Sequence, residues 1–289
     1  MIRPHSLLGA IAGEWLKMVR RPAVYVLGAI MLGILILLSY LLGWILLSHP
    51  PPGARFPAGV SPAELKKAFY PANMVREALG NASVLGGVLA LILGVLTVGS
   101  EYGWGTLKTV FTQRPSRLEI LIAKVAAVAG TLAVLAVSNL IAAAVMSLVL
   151  GLVDGQPLVF PGVLQVIAGL GTTWLIWNWY AAFGGFLAYW FKQSALAIGI
   201  GLAYLLVVES VVFGLLGQVG GTVLQTVERF LPGPNASALI QSFGSAAPQA
   251  ASGAPPPIAG AGEATLVLFL YLLAALVASA ILLRTRDVT

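Results

Sequence analysis

The chain has no cysteine and only two histidines, His5 and His49, in 289 residues. Disulfides, thiolate metal sites and a cysteine nucleophile are therefore excluded. Both histidines fall outside the long apolar runs, so an intramembrane hydrolase would lack its histidine base. No Gly-x-x-x-x-Gly-Lys-Ser/Thr run occurs, and ATP phosphates have no P-loop to sit in. Charge is scarce as well: Asp, Glu, Lys and Arg make up 9% of the residues, against roughly 25% in soluble domains. Sixteen basic and ten acidic side chains cannot cover the surface of a water-soluble fold of this length. What fills the chain instead is apolar, at 59% before its 33 glycines are counted. Composition alone assigns an integral membrane protein. The formal charge of +6 does not point to nucleic acid, because the cations cluster in short loops at the ends of apolar runs.

A hydrocarbon core about 30 Å thick takes roughly 20 apolar residues of helix. Six segments qualify, at 23–47, 82–99, 121–152, 164–190, 195–217 and 264–283. The expected fold is an all-α polytopic membrane protein, one transmembrane domain over 1–289 with six transmembrane helices. With six spans both termini share one side, and eleven of the sixteen Lys and Arg lie there against five opposite. The excess places the N- and C-termini in the cytosol. The two large loops, 48–81 and 218–263, are then external. Ser61-Pro62-Ala63-Glu64 in the first is a capping box with proline at the first helical position. Short external helices are accordingly expected before spans two and six, the second followed by an Ala/Pro/Gly-rich linker.

Two cytosolic segments stand out. Over 6–21, Leu7, Leu8, Ile11, Ala12, Trp15, Leu16, Met18 and Val19 fall on one half of a helical wheel. Glu14, Lys17, Arg20 and Arg21 occupy one arc opposite, which predicts an interfacial amphipathic helix with that arc facing water. Such a helix either anchors the first span or offers a surface to a cytosolic partner. The second segment follows span two. Gly103 and Gly105 permit a sharp turn, Thr106 caps a short helix over 106–113, and Pro115 stops it. Leu107, Val110 and Phe111 share one face and Lys108, Thr109 and Thr112 another, while Ser116–Glu119 caps the start of span three. A stiff transverse helix tied to two spans can carry a push into the membrane; simple loop geometry is the plainer reading.

Within the membrane, Glu209 is the only acid well inside a span. Such a group faces protein or water rather than lipid. Trp174, Trp177 and Asn178 lie in an aromatic stretch of span four, and Asn139 sits at comparable depth in span three. Together with Glu209 they would suit an amphipathic or cationic cargo through apolar and cation–π contact. An interfacial aromatic belt and helix–helix hydrogen bonds explain the same residues more simply.

The run from Glu101 through Gly105-Thr106 to Pro115-Ser116-Arg117 and Lys124 resembles the signature of ABC-2 type permeases, the membrane subunits of type V ABC exporters. The resemblance implies that 6–21 is similar to that family's connecting helix and 106–113 to its coupling helix. Glu14, Lys17, Arg21, Glu101, Gly105, Thr106, Lys108, Val110, Phe111 and Arg117 then become candidates for the interface with an ABC ATPase subunit. It further implies a transport subunit rather than an enzyme, with no catalytic residue, metal or cofactor of its own. ATP and Mg would sit on the partner ATPase, and a second permease copy or a relative would complete the pore among membrane lipids. The expected place is the cell membrane, a bacterial inner membrane, and the expected task is outward movement of a hydrophobic or amphipathic substrate. The competing reading is a secondary transporter or channel using Glu209 as its intramembrane polar site.

Overall fold

The computed structural model describes residues 7–53, 56, 61–82, 84–103, 116–212, 229–244 and 259–285. The expected helix at 106–113, with Gly105, Thr106, Lys108, Val110 and Phe111, lies outside them, as does most of 218–263. Among the described residues every regular element is helical. Helix α1 (Leu7–Arg20) is followed at once by α2 (Pro22–Ser48), whose proline occupies the first turn, where no backbone donor is needed. A short α3 (Pro62–Lys66) opens on the predicted capping box: the Ser61 hydroxyl accepts from the Glu64 N–H while the Glu64 carboxylate accepts from the Ser61 N–H. Then come α4 (Met74–Ala82), α5 (Val84–Gly103), α6 (Arg117–Val153) and α7 (Val163–Phe191). The chain continues with α8 (194–212), α9 (Pro232–Gln241) and α10 (Ala261–Thr285).

Helices thus stand at all six apolar segments, and four of them are long and apolar enough to cross a membrane: α2, 85–103 of α5, α6 and α10. The 29-residue α7 carries Thr172, Thr173, Asn178 and several aromatics, which lower its hydropathy. Its position explains how it tolerates them. α7 runs through the middle of the bundle with α5, α6, α8 and α10 around it, and most of 172–181 is buried. Trp177 and Trp179 belong to this core, so an interfacial belt accounts only for the exposed Trp174 and Trp190. α7 ends at Lys192, which adopts a left-handed φ of 54° and turns the chain directly into α8.

Small residues set the distance between the two central helices. A Cβ on Gly94 of α5 would stand 2.0 Å from the Ala181 carbonyl oxygen, and one on Gly184 of α7 would stand 2.3 Å from the Leu91 carbonyl oxygen. The backbones touch, as membrane helix pairs do when small residues face each other. Two stretches depart from α-helical winding: Ile34–Leu42 of α2 and Tyr204–Val212 of α8 are π-wound. Nothing in the hydropathy pattern marks either one.

Candidate functional site

The N-terminal helix docks on α6 through Ala10, Glu14 and Met18, one residue per turn on a single face. The Trp15 ring lies over Gly130 of α6, where a Cβ would meet its edge at 2.5 Å. This register differs from the predicted one. Glu14 is 5% exposed and points into the bundle, while Leu8, Leu16 and Val19 lie on the exposed side. In a helix at a membrane surface the outward side meets lipid, so the apolar residues gain by facing out. The acid can face in only if a cation is waiting there.

Two cations wait. Lys124 Nζ lies 3.0 Å from Glu14 Oε2 and 2.6 Å from Glu101 Oε1. Lys17 Nζ lies 2.6 Å from Glu14 Oε1 and 3.2 Å from the same Glu101 oxygen. Glu101 stands at the end of α5 and Lys124 two turns into α6, so one neutral cluster of two acids and two bases joins α1, α5 and α6. Glu101 and Lys124 are each 3% exposed. Burial pushes the Glu14 carboxyl up, but Lys124 and Lys17 outweigh it and hold the group below its ordinary value. Burial likewise works against the charge on Lys17, and its bonds to Glu14 and Glu101 raise it above the usual lysine value. The second Glu101 oxygen is buried without a hydrogen-bond partner among the described residues.

Two arginines extend the junction. Arg21 Nη1 donates to the Leu96 carbonyl at 3.1 Å, pinning the α1–α2 corner to α5. Arg117 Nη1 donates to the Leu283 carbonyl at 2.7 Å, fastening the first turn of α6 to the last turns of α10. Glu101 and Arg117, which flank 104–115 in sequence, are thus each fixed to a neighbouring helix. Beside the cluster, a cavity of about 50 Å³ is lined by Lys124, Thr97, Asn178, Tyr189 and Ser279 among apolar groups. It has room for a water molecule or two.

Glu209 lies elsewhere, in the π-wound part of α8. Tyr180 Oη donates to its Oε2 at 3.0 Å, and the Tyr204 hydroxyl and the Gly233 N–H also donate to the carboxylate. Its Oε1 is buried without a partner among the described residues. Trp179, Phe183, Tyr204 and Tyr271 pack nearby, Trp179 on Tyr271 with centroids 5.1 Å apart and Phe183 on Tyr204 at 5.0 Å. The other intramembrane residues singled out from sequence have local partners. Asn139 donates to the Ala78 carbonyl and accepts from Asn81. Trp174 Nε1 donates to the Ala129 carbonyl, and Asn178 to the Trp174 carbonyl one turn back. Trp177 backs onto Gly86 of α5.

A third node escaped the sequence reading. At the opposite face of the bundle, one Asp154 oxygen accepts from Trp44 Nε1 at 2.8 Å and Tyr70 Oη at 2.9 Å, and pairs with Lys66 Nζ at 3.0 Å. It clips the end of α2 and the 62–73 helical turns onto the end of α6. Asp154 is the one acid between α6 and α7, and that isolation was the available signal. Lys124 was the other omission as a site residue, although a lone cation inside an apolar run already demanded a buried partner. Among the described residues no three His, Asp or Glu side chains come together as metal ligands.

Residues 10–208 match the family model described as ABC-2 family transporter protein. The chain belongs to the ABC-2 transporter family. The matched region includes all four members of the ion-pair cluster and stops one residue short of Glu209. No curated protein matches the sequence. As an ABC-2 permease, the chain is a membrane transport subunit rather than an enzyme, and permeases of this family typically work with an ABC ATPase.

Proposed function

We propose that this permease is the membrane half of an ATP-driven exporter, coupling a separate ATPase to outward movement of a hydrophobic or amphipathic substrate. The observation that carries the reading is Lys124, which bridges Glu14 of α1 to Glu101 of α5 at 3.0 and 2.6 Å. A buried cluster in which each charge has a counter-ion makes the N-terminal helix, the end of α5 and α6 one stiff unit. An ATPase closing against α1 and 104–115 would then tilt α5 and α6 rather than bend a loop. In this reading both termini are cytosolic, six helices span the cell membrane, and two permease copies, or this one and a relative, form the pathway. Glu14 and Lys17 act as struts inside the junction, and the contact with the ATPase falls to the exposed end of α1 and to 104–115.

The test is a tagged chain extracted in mild detergent with its copurifying proteins identified. A Walker-motif ATPase at about one copy per permease supports the reading. Lys124→Met should retain the ATPase while stimulation of ATP hydrolysis by substrate is lost. Recovery of the permease alone, with ion-driven flux in vesicles, would instead favour a secondary transporter built on Glu209. That second reading rests on the buried, unpartnered Glu209 oxygen.

A further inference from the structure

Nine residues of α8, Tyr204–Val212, are π-wound, although this winding is rare and mostly confined to single turns. The stretch carries a bond that only this winding permits. In π-winding each backbone N–H bonds to the carbonyl five residues back, so side chains five apart come round to nearly the same face. In an α-helix, at about 100° per residue, the same two side chains stand about 140° apart. Tyr204 and Glu209 are five apart, and the Tyr204 hydroxyl donates to the Glu209 carboxylate. Rewinding the stretch as an α-helix would separate them.

The carboxylate also reaches beyond its own helix. Tyr180 Oη of α7 donates to it at 3.0 Å, and so does the Gly233 N–H in the first turn of α9. The approach is close: a Cβ on Gly233 would stand 2.8 Å from Glu209 Oε2 and 2.9 Å from its carboxyl carbon. The first turn of a helix is also where its dipole favours a negative charge. Helix α9 packs on α10 and touches α4, α7 and the π-wound half of α8, burying Asn235, Ala236, Ala238 and Leu239. The first half of α8 is wedged against α5, where a Cβ on Gly201 would stand 2.8 Å from the Leu91 side chain. A change of winding therefore turns the second half, and Glu209 with it. We infer that α8 is a two-state helix with Glu209 as its catch: π-wound, it holds α9 down, and rewound as an α-helix it carries the carboxylate away and frees α9. The device does not depend on the exporter reading, since no ATPase or substrate enters it.

The cysteine-free chain lets a single introduced thiol report on it. Ala238→Cys puts the thiol on the buried face of α9 and Ala143→Cys puts it inside the bundle on α6, at alanines 2% and 0% exposed. In detergent both thiols of the full-length chain should react slowly with a water-soluble maleimide. Adding Glu209→Ala should speed labelling at 238 about tenfold, the shift in a local opening equilibrium expected for a lost hydrogen bond to a charged group, and leave 143 unchanged. Tyr204→Phe removes only the bond that depends on winding, and should speed 238 about threefold. Labelling at 238 indifferent to Glu209→Ala, or equal speeding at 143, overturns the catch. Speeding by Glu209→Ala with none by Tyr204→Phe overturns the two-state helix, because the catch would then hold whatever the winding.

Discussion

Lys124 holds two carboxylates at once, and its loss has a predictable size. Removing one partner of a buried ion pair costs about 3–5 kcal/mol when the remaining charge has neither water nor a counter-ion, and less here because Lys17 still pairs with both carboxylates. Lys124→Met leaves Glu14 and Glu101 to share Lys17, so thermal unfolding in detergent should fall sharply at neutral pH. Lys124→Arg should recover part of it. The acid limb follows from Glu14, whose folded value is depressed below 4.5. Its stabilisation is complete above that ordinary value and is lost as pH falls through the depressed one. Glu14→Gln should therefore flatten the acid end of a stability–pH curve; a curve unchanged by the substitution would mean that Glu14 is not paired. Glu77 on α4 runs the other way. Burial raises it to about 7 despite the neighbouring Arg76, so stability is highest while the group stays protonated in both states. It declines as pH rises from 4.5 to about 7. Glu77→Gln should raise the melting temperature at pH 8 and leave it unchanged at pH 4.

At the scale of elements, Gly94 and Gly184 fix the spacing of α5 and α7. Gly94→Leu would place atoms inside the Ala181 peptide group, so the helices must separate and the buried face of α7 opens. Loss of the folded peak on size exclusion is expected, whereas Gly171→Ala on the exposed side of α7, where a Cβ would meet no atom of the described residues within 4 Å, should be silent. On the coupling proposal, a charge at Val110 or a proline at Gly105 should uncouple transport and leave insertion intact; normal transport by both would remove that assignment. How far these elements were legible depends on which solvent a rule assumes. Hydropathy located helices at all six segments, because a chain with so few charges has little else in its long runs. The helical wheel found α1 and set Met18 inside and Arg20 outside, but it misplaced Glu14. A wheel sends every charge outward, yet here Leu16 and Val19 are exposed and Glu14 is drawn in by Lys124, more than a hundred residues away in sequence. The aromatics of α7 misled for a related reason: a belt and a core are both Trp-rich, and only the neighbours of Trp177 decide. Neither π-wound stretch left a trace in the apolar pattern, although one of them presents Glu209 to Tyr180.

For the whole molecule, the two faces of the bundle are fastened by different chemistry. One face uses a neutral four-member cluster at α1, α5 and α6. The other uses Asp154 with two ring donors and one lysine. Asp154→Ala removes the acceptor shared by Trp44 Nε1 and Tyr70 Oη and the counter-ion of Lys66; these groups are partly exposed, so water replaces part of what is lost and the cost is about 1 kcal/mol. Protease accessibility of the 62–73 turns should rise in that variant while α1 stays protected. Equal protection of both regions would show that the two fastenings are not independent.

The pairing of Glu14 with Lys124 spans 110 residues of sequence, and this sets an order of events during synthesis. At about 5–20 residues per second, the ribosome needs roughly 5–20 s to make the partner after it has made the acid. Throughout that interval Glu14 has only Lys17 of its own helix to pair with. The junction can close only once α6 has entered the bilayer, so the first residues translated are among the last to take their final place.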